Sequence, residues 1–186
     1  MVNVCLFAQT ENQAKIDYHL QLQEKQVREI CSVQFGEKQE VALECLKKKF
    51  GIPHLVTHDA IWFKNVSYGG ILFEDVIFRF QTNTKRTYMN SCIFYGKKNK
   101  MEYVSLDFNL LLNKLKKYDL GASTENMSWT GGISPLWDGK SDIFGTPMYV
   151  PAIMLDIKKV DNGLCFLRLI YGQEQLCPFE YVKEDF

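Results

Sequence analysis

The sequence predicts an α+β fold: two tandem units, each a helix packed on an antiparallel β-hairpin or small sheet. Three observations predict it. Two segments place apolar residues at helical spacing between a polar start and a glycine stop. Four segments alternate apolar and polar residues at a period of two, and they come in pairs joined by short polar turns. The two halves repeat the same order of elements. Thirteen Phe, nine Tyr and three Trp in 186 residues strengthen the sheet-rich reading, because aromatic residues suit pleated, half-buried surfaces.

Residues 9–33 are polar and rich in Gln, with poor helical spacing across Ile16, Leu20, Val27 and Ile30, and read as a loosely attached, partly helical lead-in. The first helix follows Gly36 in EKQEVALECLKKKFG. Ala42, Leu43, Leu46 and Phe50 fall on one face. Glu37 and Glu40 stand in the first turns and Lys47, Lys48 and Lys49 in the last, which suits the helix dipole. Gly51 supplies a left-handed cap and Pro53 blocks continuation.

Strands are expected over residues 60–68, 72–81 and 88–95. In the second, Val76, Phe78 and Phe80 share one face and Ile77, Arg79 and Gln81 the other. Thr82 to Lys85 form the polar turn of a hairpin. A second helix starts near Ser105 as N-cap, with Phe108, Leu111, Leu112 and Leu115 on one face and Gly121 as the stop. Residues 122–147, rich in Gly, Ser, Thr and Asp, read as a long loop. Residues 150–159 and 164–171 form a second hairpin around Asp161-Asn162-Gly163, where Asn and Gly tolerate positive φ.

Aligning Tyr95-Gly96 with Tyr171-Gly172 maps Met89, Ser91, Ile93 and Tyr95 onto Cys165, Leu167, Leu169 and Tyr171. Val76, Phe78 and Phe80 then map onto Ile153, Leu155 and Ile157 at an offset one residue larger. This divides the chain into residues 34–100 and 101–186, one compact unit. The element order, together with VQFGEKQEVALECLKKKFG and IWFKNVSYGGILFEDVIFRFQ, resembles the β-lactamase-inhibitor-protein-like tandem fold over roughly residues 34–172. It also resembles small exported bacterial proteins of that architecture. The paired disulfides of the inhibitor family have no matching cysteine spacing here, so no functional residue is carried over.

The N-terminus MVNVCLFAQT is an apolar run ending at Phe7-Ala8-Gln9, and polar residues follow at once. It resembles the end of a bacterial export signal, so residues 1–8 are expected to be a signal-peptide remnant and the protein periplasmic or secreted. The competing expectation is a first strand over Val2–Ala8 in a cytoplasmic protein. No apolar stretch approaches the ~20 residues that a membrane-spanning helix needs.

Chemistry is sparse. Charge is balanced at a formal net of zero and interspersed, against the clustered basic surface of a nucleic-acid binder. The six cysteines form no CxxC, and most are expected as buried, hydrophobe-like free thiols. His54 and His58 flank Leu55, Val56 and Thr57 after Pro53, which rules out a helical zinc motif. GGISPLWDG lacks the Lys and the helix of a phosphate loop. No catalytic residue, metal ligand or cofactor is assigned.

The expected function is a non-catalytic binding or interaction protein of the bacterial cell envelope with a protein or peptide partner. Trp129, Trp137 and Phe144 in the 122–147 segment, with Tyr149 just after it, are the candidate contact residues, because exposed aromatics anchor interfaces. The rival reading of those rings is that they fold inward and cap the sheets. Two other functions stay open: a hydrolase using a Cys–His or carboxylate site (Glu74-Asp75, or Asp138 with Asp142), and a cytoplasmic immunity-type partner protein.

Overall fold

The structure is a computed structural model, which describes residues 20–82, 87–121, 126–133 and 151–172. A short hairpin, β1 (Glu29–Ile30) and β2 (Val33–Gln34), precedes α1 (Gln39–Phe50). Strands β3 (Leu55–Val56), β4 (Ala60–Tyr68), β5 (Ile71–Thr82) and β6 (Thr87–Gly96) follow. Then come α2 (Met101–Leu115), β7 (Ser128–Ile133), β8 (Pro151–Lys159) and β9 (Cys165–Gly172). The fold is α+β, and apart from β1 and β2 the strands make one seven-stranded sheet in the order β3-β4-β5-β6-β9-β8-β7. Every pairing within it is antiparallel.

Both helices pack on one face of this sheet. Ala42 and Leu46 of α1 and Val104, Phe108, Leu111 and Leu115 of α2 join one core with Phe63, Val76, Phe78, Phe94, Leu155 and Leu169. Phe63, Phe73, Phe78, Phe94 and Phe108 are among its largest fully buried side chains. Truncating one such ring costs about 3–5 kcal/mol, so this layer dominates stability.

The expected strand bounds agree with β4, β5, β6, β8 and β9 to within about a residue. Helix α1 stops at Gly51 (φ 82), whose N–H bonds to the Lys47 carbonyl. Helix α2 starts four residues earlier than expected, at Met101. Ser105 is no cap: its hydroxyl donates to the Met101 carbonyl one turn back, and the N-cap position is held by Lys100, which makes no side-chain capping bond. The helix gives way to a 3-10 turn at Lys116–Tyr118, so Gly121 stands well beyond its end.

Three other expectations are corrected. The lead-in is not loose where it is described: Leu22, Val27 and Ile30 are buried, and Val27 N–H bonds to the Ile133 carbonyl while Ile133 N–H bonds to that of Lys25. The 122–147 segment is not all loop, since Ser128–Ile133 is the edge strand β7. Two glycines hide it from a propensity reading. A Cβ at Gly131 would fall 2.4 Å from the Trp129 ring, and one at Gly132 would fall 2.6 Å from Val27. The third concerns the residue alignment of the halves. Strand β6 pairs with β9 so that Ile93 opposes Ile170 and Tyr95 opposes Arg168. Tyr95 therefore faces away from the helices while Tyr171 lies in the helix-side core. Side chains alternate with period two, so the mapping of Ser91, Ile93 and Tyr95 onto Leu167, Leu169 and Tyr171 joins opposite faces.

Gly172 closes β9 at φ 99, where a Cβ would lie 2.1 Å from the Asn90 carbonyl oxygen and 2.8 Å from the Phe35 ring. Gly163 has a similar backbone (φ 71) but open space around it. Gly163→Ala should cost about 1 kcal/mol for its backbone alone. Gly172→Ala should cost roughly 2–3 kcal/mol, because β6 or Phe35 must move as well. Urea unfolding of the two variants checks the difference, and equal losses would contradict this packing.

Candidate functional site

The sheet face opposite the helices carries an unusual row. Lys64, Asp75, Tyr95, Arg168, Asp156 and Ser128 are successive cross-strand neighbours over β4, β5, β6, β9, β8 and β7. Beside it runs a second row, Trp62, Ile77, Ile93, Ile170, Met154 and Thr130. Cross-strand partners at this spacing touch, so each row acts as one strip.

Both aspartates are buried, and both are held by cations. Asp156 receives two bonds from the Arg168 guanidinium, at 2.8 and 3.1 Å, and Lys158 stands 3.1 Å away. The bidentate fork fixes both side chains in the plane of the row. Asp75 accepts the Trp62 indole N–H at 2.9 Å, and the Lys64 ammonium lies 3.3 Å from the same oxygen. That ammonium also sits 4.8 Å from the centre of the Trp62 ring, and His54 meets the ring edge-on at 4.8 Å. Trp62 is therefore pinned through its N–H, its face and its edge.

Against this pinned indole lies a cavity of about 190 Å³ lined by Trp62, Asp75, Ile77, Tyr95, Lys98 and Phe166. Gly96 and Val160 complete its wall. The Tyr95 and Phe166 rings lean on each other at 6.1 Å. A space of ~150 Å³ already admits a benzene-sized group, so this one fits a single ring or branched aliphatic side chain. Its charged groups are the Asp75–Lys64 pair at one end and Lys98 at the lining. One carboxylate set against two ammonium groups leaves an excess positive charge.

The residues singled out in the sequence stand elsewhere. Trp129 is 3% exposed and packs in the helix-side core, so its ring offers no contact surface. Trp137, Phe144 and Tyr149 lie outside the described residues, as do residues 1–8, Cys5, Cys177, Asp138 and Asp142. Glu74-Asp75 is not a solvent-facing acidic pair: Asp75 is 2% exposed. Strand alternation already places Asp75 beside Ile77 and Arg79, which was the available signal. What the sequence could not supply was the neighbour across each strand.

Among the described residues, no thiol is hydrogen-bonded to a histidine. Cys31, Cys45, Cys92 and Cys165 are free. Burial pushes the Cys31 thiol up to about 12 and raises Cys92 and Cys165, whereas a nucleophilic thiol needs the reverse shift. His58 is exposed and stands 3.8 Å from Asp59. Among the described residues no group of three or more His, Cys, Asp or Glu side chains is placed to hold a metal ion. Nor is any helix among them long and apolar enough to cross a membrane. No protein-family model, curated protein or solved structure matches this chain. The class of protein therefore rests on the site alone.

Under the helices, the Tyr68 and Tyr171 hydroxyls lie 3.1 Å apart. Burial raises both, Tyr68 to about 12. A raised folded-state value gives stability that is complete below the unfolded pKa and lost as pH rises toward the folded one. The thermal midpoint should hold level up to about pH 8 and fall from about pH 9, where the unfolded chain's thiols ionise. The fall should steepen above about pH 10, where its phenols ionise. Replacing both tyrosines by Phe should flatten the steeper part. Calorimetry across this range checks it, and a midpoint unchanged to about pH 11 would contradict it.

Proposed function

We propose that this protein is a non-catalytic binding protein which captures a protein or peptide partner by seating one apolar side chain in the cavity beside Trp62. The observation that carries the reading is that indole, pinned by Asp75, Lys64 and His54. A rigid aromatic wall beside a cavity of side-chain size lowers the ordering cost of capture, which is how interface anchors work. Lys98 and the Asp75–Lys64 pair favour a segment with a carboxylate next to its anchoring residue.

The reading includes the tandem architecture. The six strands β4-β5-β6-β9-β8-β7 are arranged symmetrically about the β6–β9 seam, with a helix before the three strands of each half; the two-residue edge strand β3 is an addition of the first half. An offset of 77 residues maps Ile77 onto Met154 and Ile93 onto Ile170, and both members of each of these pairs lie in the second row of the far face. This is the relation we propose for the halves, in keeping with the β-lactamase-inhibitor-like resemblance of the sequence.

Selection of phage-displayed random peptides on the immobilised protein tests the function. The expected winners carry an aromatic or branched aliphatic residue beside Asp or Glu. Phe166→Ala and Tyr95→Ala should each weaken them at least ~10-fold, the scale of a lost aromatic anchor. Peptides that bind both variants undiminished would refute the site.

We further propose that the protein works in the bacterial cell envelope, on the strength of the export-like residues 1–8. Mass spectrometry of the protein isolated from its native host should find a chain beginning at Gln9. An intact Met1 would count against this and favour the cytoplasmic partner-protein alternative.

A further inference from the structure

The outer side of α2 is not polar in the way its buried side would lead one to expect. The buried face, Val104, Phe108, Leu111 and Leu115, satisfies the sheet. Yet Leu106 is 67% exposed and Leu110 41% exposed, with Tyr103 (52%) beside them. Single exposed apolar residues need no explanation, but these share a ridge. Residues four apart on a helix stand nearly one above the other. The ridge reads Glu102, Leu106, Leu110, Lys114: an acid, two leucines and a base, all exposed.

That order is complementary to itself. If two copies of α2 are laid antiparallel along this ridge, Leu106 of each meets Leu110 of the other. Glu102 of each then meets Lys114 of the other. A parallel arrangement would set acid on acid and base on base. Lys114 already donates to the Gly69 carbonyl at 2.7 Å, but an ammonium has two more protons to give. The complementarity belongs to the ridge alone: Lys116 and Lys117 extend its basic end, but Lys100 also stands just before Glu102, so the pairing of the two copies rests on Glu102 with Lys114 and on the leucines between them.

We propose that this ridge is the seat of a second copy of the same chain, forming a two-fold dimer through antiparallel α2 helices. Such an interface uses one surface patch twice, which is the commonest form of protein association. Fifteen residues give a helix of roughly 22 Å, so the contact is small and the dimer reversible. Its consequence reaches the binding site. The cavity lies on the sheet face opposite α2, so dimerisation leaves both cavities facing outward on opposite sides. Two sites on one particle would bind a repetitive partner far more tightly than one.

The test is sedimentation velocity on the full chain from about 10 µM to 1 mM, the span suited to a small interface. The sedimentation coefficient should rise with concentration from the monomer value toward the dimer value. Leu106→Asp, on the exposed face, should hold it at the monomer value. Glu102→Lys alone and Lys114→Glu alone should each weaken association at least tenfold. An equimolar mixture of those two variants should recover it, because the mixed dimer regains an acid–base pair at both ends. Circular dichroism of each variant separates a lost contact from lost folding, and the mixture needs no comparison of stabilities. A monomer at every concentration, a dimer untouched by Leu106→Asp, or a mixture no better than either variant alone would overturn the proposal. Peptide capture by the Leu106→Asp monomer keeps this result distinct from that of the cavity.

Discussion

The pairing of β6 with β9 is the contact on which the rest of the molecule depends. Each flanking meander, β3 to β6 and β7 to β9, has a greasy side, and either alone would leave its sheet edge open. Pairing Ile93 with Ile170 and Phe94 with Leu169 joins them into one sheet. One face then carries Phe94, Leu169 and Tyr171 toward the helices, and the other carries Tyr95 and Arg168 away from them. Because the side-chain period is two, a slip of one residue at this seam would exchange those faces. It would turn the Arg168 guanidinium into the aromatic core and dismantle the row that ends at the cavity.

The far face shows how a sheet carries charge without exposing it. Asp156 is paired with Arg168 of the adjoining strand and Lys158 of its own, and Asp75 with Lys64 and the Trp62 N–H, so the desolvation of each buried carboxylate is offset by charged and hydrogen-bonded neighbours. The same neighbours fix geometry. Asp75 holds the Trp62 N–H, Lys64 covers the ring, and the cavity inherits a wall that cannot rotate away. Function and stability thus draw on one set of contacts, through side chains from β4, β5, β6 and β9 that are far apart in sequence.

Much of the fold was legible because its strongest elements repeat local rules. Helix α1 announces itself by Ala42, Leu46, the lysine-rich end and Gly51. Strand β5 does so by the alternation from Val76 to Gln81, and the turn at Asn162-Gly163 by residues that accept positive φ. What stayed hidden is non-local. Strand β7 contains Gly131 and Gly132, chosen for the Trp129 ring and Val27 that press on them, and no local scale rewards that. The seam register cannot be read within either strand, and so the Tyr-Gly endings of β6 and β9 invited a match one residue out of phase. The site was missed for a related reason. A tryptophan in a strand, an aspartate thirteen residues on and a phenylalanine in the last strand have no sequence signature until the sheet puts them side by side. Aromatic density in the sequence points to the loop instead, yet the described ring there, Trp129, belongs to the core.

The register of the central seam is open to direct measurement by nuclear Overhauser contacts between backbone protons of β6 and β9 in isotope-labelled protein. Cross-strand contacts should link Ile93 with Ile170 and Tyr95 with Arg168. Contacts that instead link Ile93 with Leu169, or β6 with any strand other than β5 and β9, would contradict the account.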